Sequence, residues 1–314
     1  MNILITGGCG YVGSVLTPKL LDQGHHVTVY DIMWFGNFLK EHKNLNIIQG
    51  DIRNIDAVPM AGIDAIIHLA NIANDPCGDL NAKLSWEVNV LATMALVERA
   101  IMHKAKQFVY ASSGSVYGVK DESQVTEDLS LVPISDYNKT KMISERVLLS
   151  YKDQITVQCI RPATVCGYSP RMRLDLSVNM LTMQALANGR ITVFGGDQTR
   201  PNIHIQDITD VFVHFLRVRE RAPGVYNAGF ENLSILEIAR RVADFVPAEI
   251  IITESNDPRS YRINSDKLNG TGFIQKHTVV DAIKEIIDAY RSGKLKDEEL
   301  WYNIKTMKII ENLG

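Results

Sequence analysis

The stretch NILITGGCGYVGSVLTPKLLDQG, residues 2–24, decides how the rest of the chain is read. Residues 2–6, apolar at nearly every position, read as a strand buried on both faces. They run straight into Gly7-x-x-Gly10-x-x-Gly13 and then into an apolar-striped segment, helical over about 12–24. Glycine at these places lets the chain turn tightly, lets the backbone approach a pyrophosphate, and lets helix and strand pack closely. The helix N-terminus receives the negative charge. Tyr11 and Val12 lie in the same turn and are assigned, with the three glycines, to a dinucleotide cofactor.

The alternation continues. Apolar runs at 26–31 (HVTVYD), 46–51 (NIIQGD), 65–70 (AIIHLA), 107–113 (QFVYASS) and 156–163 (TVQCIRPA) flank helix-length segments near 81–104 and 136–152. Such strands belong to a parallel sheet covered by helices, so the predicted fold class is α/β, a doubly wound parallel sheet of the Rossmann type. After residue 165 the rhythm changes, with a helix-like 175–189, ITVFGG, a run at 201–218, GVYNAG, a helix near 234–246 and a strand at 248–253. These predict a smaller, partly interleaved C-terminal α/β substrate domain over 166–314. The cofactor-binding domain then covers 1–165 plus part of 200–230, with the active site between the two.

Asp31 ends the second strand 18 residues beyond Gly13. A carboxylate there accepts from the adenosine ribose hydroxyls and repels a 2′-phosphate, which favours NAD(H) over NADP(H). Asp51 and Ile52, after the third strand, are placed to meet the adenine, although an Asp in that position serves equally as a helix N-cap.

A net charge of −3 gives no electrostatic case for nucleic acid or a membrane surface as a partner. The cysteines Cys9, Cys77, Cys159 and Cys166 show no C-x-x-C spacing, which suits reduced structural thiols rather than a disulfide frame or a metal site. Neither a leader-like start nor a run of about 18 apolar residues is present, so a cytoplasmic location is expected.

SDYNKTKMISE, residues 135–145, puts Tyr137 one helical turn before Lys141. Ser135 or Asp136 supplies a start signal, and Met142, Ile143, Val147 and Leu148 form the buried stripe. Both the helix N-terminus and a nearby ammonium favour phenolate, so Tyr137 is expected to have a lowered pKa and to serve as a general base.

With these residues assembled, the chain resembles the extended short-chain dehydrogenase/reductases, specifically the NAD-dependent nucleotide-sugar epimerase/dehydratase family and its UDP-glucose 4-epimerase-like members. The resemblance covers almost the full length. It rests on TGGCGYVG (6–13), HLAN (68–71), NV (89–90), SSGSVYG (112–118), Tyr137-x-x-x-Lys141, RPATVCG (161–167), RPNIHIQD (200–207) and DPRSYRINSDKL (257–268). It implies that Tyr137 is the base for a sugar hydroxyl, that Lys141 bridges the nicotinamide ribose and holds the tyrosine's pKa down, and that Ser113 hydrogen-bonds the reacting oxygen.

The resemblance further places Leu69 and Ala70 along the cofactor pyrophosphate, Asn89 as a structural or cofactor-side amide, and Pro162 with Ala163 beside the nicotinamide amide. Asn179 would meet the nucleotide diphosphate, and Arg200 and Arg259 look like diphosphate clamps, Arg262 competing with Arg259. His204 reads as structural. Two helices, about 83–104 and 136–152, would pair with a second copy in a four-helix bundle, giving a homodimer.

Family members that eliminate water or decarboxylate place an acid at one of the positions held here by Gly114 and Ser115. Neither is ionisable, which disfavours a 4,6-dehydratase. What remains needs only serine, tyrosine, lysine and NAD: a nucleotide-sugar 4-epimerase acting through a 4-keto sugar, or a 4-dehydrogenase or 4-ketoreductase that stops there. In the loop ANIANDPCGDL (70–80), Asn71, Asn74 and Asp75 are candidates to bind sugar hydroxyls or assist a further proton transfer, Asp75 reading first as a loop cap. A non-catalytic NAD-binding regulator and an oxidoreductase for a non-sugar ketone are the readings from other classes.

Overall fold

The computed structural model describes residues 1–219, 222–254 and 260–313. The first strand, β1 (Asn2–Thr6), is buried at every position after Asn2 and sits inside a sheet, as its unbroken apolar run requires. The other strands are β2 (His26–Asp31), β3 (Leu45–Gln49), β4 (Ala65–His68), β5 (Gln107–Ala111), β6 (Thr156–Pro162), β7 (Thr164–Cys166), β8 (Arg190–Phe194), β9 (Thr199–His204), β10 (Gly224–Ala228), β11 (Glu231–Ser234) and β12 (Glu249–Thr253). Seven of them form one all-parallel sheet in the order β10-β6-β5-β4-β1-β2-β3. The order reverses between β1 and β4, where a doubly wound sheet opens a crevice at the carboxyl ends of its strands. Strands β11-β9-β7 and β12-β8 form two small separate sheets.

The helices are α1 (Gly13–Asp22), α2 (Asp75–Leu80), α3 (Ala82–Trp86), α4 (Ala92–Met102), α5 (Asp136–Ser150), α6 (Ser177–Asn188), α7 (Ile205–Val218), α8 (Ile235–Ala243), α9 (Asp266–Asn269), α10 (Val279–Arg291) and α11 (Asn303–Leu313). Helices α1 and α7 cover one face of the large sheet through Leu16, Leu20, Phe212 and Phe215. Leu96, Val97 and Leu148, from α4 and α5, help cover the other.

The helix expected over 81–104 is interrupted. Glu87–Leu91 is a π turn between α3 and α4, and it carries Asn89 inward. The final segment packs back toward the large sheet. Trp301 lies in the cluster under α1 and α7, and Met307 in the cluster under α4, so the chain returns from the C-terminal elements to the large sheet.

The first turn leaves no space for side chains. A Cβ on Gly13 would fall 2.4 Å from the Gly8 carbonyl oxygen, and one on Gly7, at φ 76°, 2.5 Å from the Ala70 nitrogen. Gly13→Ala is therefore expected to destabilise the protein by about 1–3 kcal/mol, the usual cost of overpacking, and to weaken dinucleotide binding. Urea unfolding and a binding titration check this, and wild-type values for both would contradict it.

Candidate active site

A cavity of about 480 Å³ opens at the carboxyl ends of β1, β2, β4, β5 and β6. Its floor is the glycine turn. Helix α1 begins at Val12 with no side-chain cap and no acidic residue in its first turn, so its N–H groups face the cavity without an anionic side chain. Asp31 pins the turn from below, its carboxylate accepting from the Cys9 N–H at 2.9 Å and the Met33 N–H at 2.7 Å. Burial raises its pKa and these bonds oppose the rise; each oxygen keeps a second lone pair for a ribose hydroxyl. Tyr11, Val12, Ile52, Leu69, Ala70 and Pro162 line the same cavity, as expected. Asp51 lines it too, but its carboxylate pairs with Arg53 at 2.6 Å, and Asn54, with no side-chain capping bond, takes the N-cap position of the short helix at 55–57. This floor has the bare helix end, close-packed glycines and strand-end acid that suit a dinucleotide.

Ser113, Ser115, Tyr137 and Lys141 meet on one wall. Ser135 caps α5 by accepting from the Asn138 N–H at 3.2 Å, which fixes Tyr137 in the first turn. Ser113 hydrogen-bonds Tyr137. The Ser113 and Ser115 hydroxyls are 2.6 Å apart, and Ser115 donates onward to the Asn138 side-chain oxygen.

The expected lowering of the tyrosine's pKa is not found. Burial pushes the phenol up to about 12, against the hydrogen bond from Ser113. Lys141 is buried as well and is pushed down to about 7, with Glu145 opposing. Its ammonium donates to the Ala111 carbonyl at 2.5 Å and lies 4.8 Å from the Tyr110 ring centre but 5.8 Å from that of Tyr137. Burial sets the phenol's direction, and the Lys141 ammonium is turned toward the strand instead.

Behind this wall lies a buried ion pair. Glu145 accepts two bonds from Arg161, at 2.9 and 2.7 Å, and one from the Ser112 hydroxyl. Arg161 also donates to the Tyr117 hydroxyl at 2.7 Å, and Tyr117 donates to the Asn227 side chain at 2.8 Å.

The facing wall carries three cations, of which the sequence pointed to Arg200 and not to Arg171 or Arg173. Arg171 and Arg173 come from the loop between β7 and α6, and Arg200 from β9. Arg171 is 2% exposed and packs on Phe35 at 4.0 Å; it donates to Asn303 at 2.6 Å. Burial and the neighbouring Arg173 hold its guanidinium down to about 9. Arg173 is paired with Asp175 at 2.9 and 3.0 Å. Two arginines within three residues, in a loop after a strand, were the available signal. Asn303 gave none, since it reaches the cavity only through the return of the chain.

Two expected contacts turn away from the cavity. Asn89 holds the Ile72 N–H at 2.8 Å and the Thr140 hydroxyl at 3.0 Å, a structural bridge. Asn179 bonds the Gly167 N–H, the Tyr11 hydroxyl and the Arg173 carbonyl, so it supports the cofactor turn and the arginine loop from behind. Asn71 lines the cavity. Arg259 lies outside the described residues, and Arg262 is exposed and away from the cavity. His204 caps α7, with Nδ1 accepting from the Gln206 N–H at 3.1 Å. Asp75 is not the loop cap. Asn74 caps α2 by accepting from the Cys77 N–H at 3.0 Å, and Asp75 follows it as the first helical residue, in the cavity wall.

Comparison with known proteins gives a consistent result. Residues 3–229 match the family model described as "NAD dependent epimerase/dehydratase family". A UDP-glucose 4-epimerase of Lactobacillus helveticus is 27% identical over 312 residues, spanning 90% of this chain and 94% of the relative. The structure of a UDP-glucuronic acid 4-epimerase from Bacillus cereus, in complex with UDP-glucuronic acid and NAD, superposes with a TM-score of 0.82 at 27% identity, covering 93% of this chain and 99% of that one. A dTDP-glucose 4,6-dehydratase from Streptomyces venezuelae shares the fold, with a TM-score of 0.84 at 23% identity over 94% of this chain and 98% of that one.

Lys141 makes stability depend on pH. The unfolded chain keeps this proton up to about pH 10, whereas the folded chain releases it near pH 7. Through that window the unfolded state binds more protons, so this group makes folding more favourable as pH rises. The stability of wild type relative to Lys141→Met should climb between about pH 7 and pH 9 in urea titrations. A constant difference would rule this out.

Proposed function

The chain belongs to the NAD dependent epimerase/dehydratase family, and from that premise we propose that it oxidises and re-reduces a nucleotide-diphosphate sugar at C4 through a 4-keto sugar, as a nucleotide-sugar 4-epimerase. One observation carries the reading: Ser113, Tyr137 and Lys141 line one wall of a cavity that Arg171, Arg173 and Arg200 also line. Arginine's planar fork suits phosphate oxygens. The names of the similar proteins favour a uridine carrier.

Bound NAD supplies a hydride acceptor that can also return the hydride. The chain's residues handle the proton and the geometry. Tyr137 takes the proton of the C4 hydroxyl, and Ser113 donates a hydrogen bond to the same oxygen as it becomes a carbonyl. With its phenol protonated at neutral pH, Tyr137 needs the Lys141 charge turned toward it when the cavity fills. A flip of the ketone presents its other face to the returning hydride, and Tyr137 gives the proton back. Gly7, Gly10 and Gly13 would hold the cofactor's pyrophosphate at the start of α1, and Asp31 its adenosine ribose.

The dehydratase reading is disfavoured by Gly114 and Ser115. Neither position is ionisable, and Ser115 is engaged with Ser113 and Asn138. For assembly, Trp86, Leu91, Met94 and Met102 present an exposed apolar surface on the α3 to α4 region, and a second copy is its proposed occupant, giving a homodimer.

Two measurements test this function. Protein purified and denatured should release NAD, and uridine diphosphate sugars should come back inverted at C4; tightly held NADH without a 4-epimer would point instead to a 4-dehydrogenase. Tyr137→Phe should cut turnover by about 10²–10⁴-fold while NAD binding persists, and equal turnover in the two proteins would remove Tyr137 from the mechanism.

A further inference from the structure

The wall of the cavity beside Tyr137 holds a carboxylate that hydride transfer does not use. Asp75 is the first residue of α2, and α2 packs directly on the catalytic tyrosine: a Cβ on Gly78 would lie 2.9 Å from Tyr137 Cβ. Asp75 lines the cavity with Tyr137, Ser113 and Arg173, and its charge acts on the Tyr137 phenol.

The backbone before it is strained. Asn74 sits at φ 75° and ψ 159°, a region populated almost only by glycine. Its side chain holds it there, accepting from the Cys77 N–H and donating to Asp175 at 2.9 Å. Asp75 is held too, its Oδ1 accepting from the hydroxyl of Ser135, the residue that caps the helix of Tyr137 and Lys141. Strain held by specific bonds at the mouth of a reactive cavity places the next side chain deliberately.

We infer that Asp75 is a further catalytic residue, an acid/base for a carbon-bound proton next to the ketone. The inference rests on the 4-keto sugar of the proposed function. A ketone acidifies the hydrogens on its two flanking carbons, and a carboxylate on the tyrosine's wall faces one of them. Asp75 takes that proton; the C–H electron pair becomes a carbon–carbon double bond, and the carbonyl pair moves to oxygen, where Ser113 and Tyr137 donate hydrogen bonds. The reverse movement restores the ketone, Asp75 returning a proton to the face from which it took one after exchange with solvent. No further reactant enters. The missing acid at positions 114 and 115 is thus replaced from a different loop, and the added activity is proton exchange at a carbon beside C4.

The test uses the full-length NAD-loaded protein with UDP-glucose in D2O, following reduced nicotinamide by absorbance and deuterium in the recovered sugar by NMR. Wild type should place deuterium at a carbon flanking C4. Asp75→Asn keeps an acceptor for Ser135 but loses the base, and should lower the ratio of exchange to hydride transfer by about 10²-fold or more. Asp75→Glu keeps a carboxylate on the same wall, so its ratio should lie closer to wild type than that of Asp75→Asn. An unchanged ratio in Asp75→Asn, or hydride transfer without exchange in wild type, would overturn the inference while leaving the proposed function standing. Absence of hydride transfer with UDP-glucose in wild type would count against the proposed function and the inference together.

Discussion

The ion pair between Glu145 and Arg161 holds the reactive wall in register. Glu145 sits one turn beyond Lys141 on α5, Arg161 is the residue before Pro162 on β6, and Ser112, gripped by the same carboxylate, lies between the Ala111 carbonyl and Ser113. One buried carboxylate therefore ties together the elements that supply the hydroxyl, the ammonium and the nicotinamide-side strand. Burying both charges costs several kcal/mol per ion before their attraction is counted, and leaving either alone would cost about 3–5 kcal/mol. The full set of partners, Tyr117 and Asn227 included, is what makes this arrangement tolerable.

What the sequence made legible was local. The strand, glycine turn and α1 occupy one continuous stretch, Asp31 ends the next strand, and Tyr137 and Lys141 are a helical turn apart, so periodicity and spacing were enough to place them. The small sheets and the π turn at Glu87–Leu91 escaped because their partners are distant in sequence. Asn179 was expected at the diphosphate, and Asn89 was left between a structural and a cofactor-side place; both hold up the walls, a distinction of one side-chain direction that no spacing contains. The phenol of Tyr137 went the opposite way to expectation because burial, which spacing does not measure, is the largest influence on it, and the lysine points to the Ala111 carbonyl.

Several features of the cavity oppose stability: Lys141 without a carboxylate in direct contact, Arg171 against an aromatic ring, and Asn74 in a backbone region suited to glycine. Each would be relieved by an apolar or glycine substitution. Their persistence in one place is the usual mark of a site whose chemistry is maintained against the fold's own preference.

The C-terminal segment adds a temporal dimension. The Trp301 carbonyl accepts from the Leu174 N–H at 2.8 Å, the Trp301 ring meets Phe38 at 5.5 Å, Asn303 holds Arg171, and α11 lies against α2. A ribosome makes the glycine turn first and residues 301–307 some three hundred residues later. The crevice is therefore bounded in part by residues, Arg171 and Asn303, whose places are set by a segment made long after the strands and helices that form its floor.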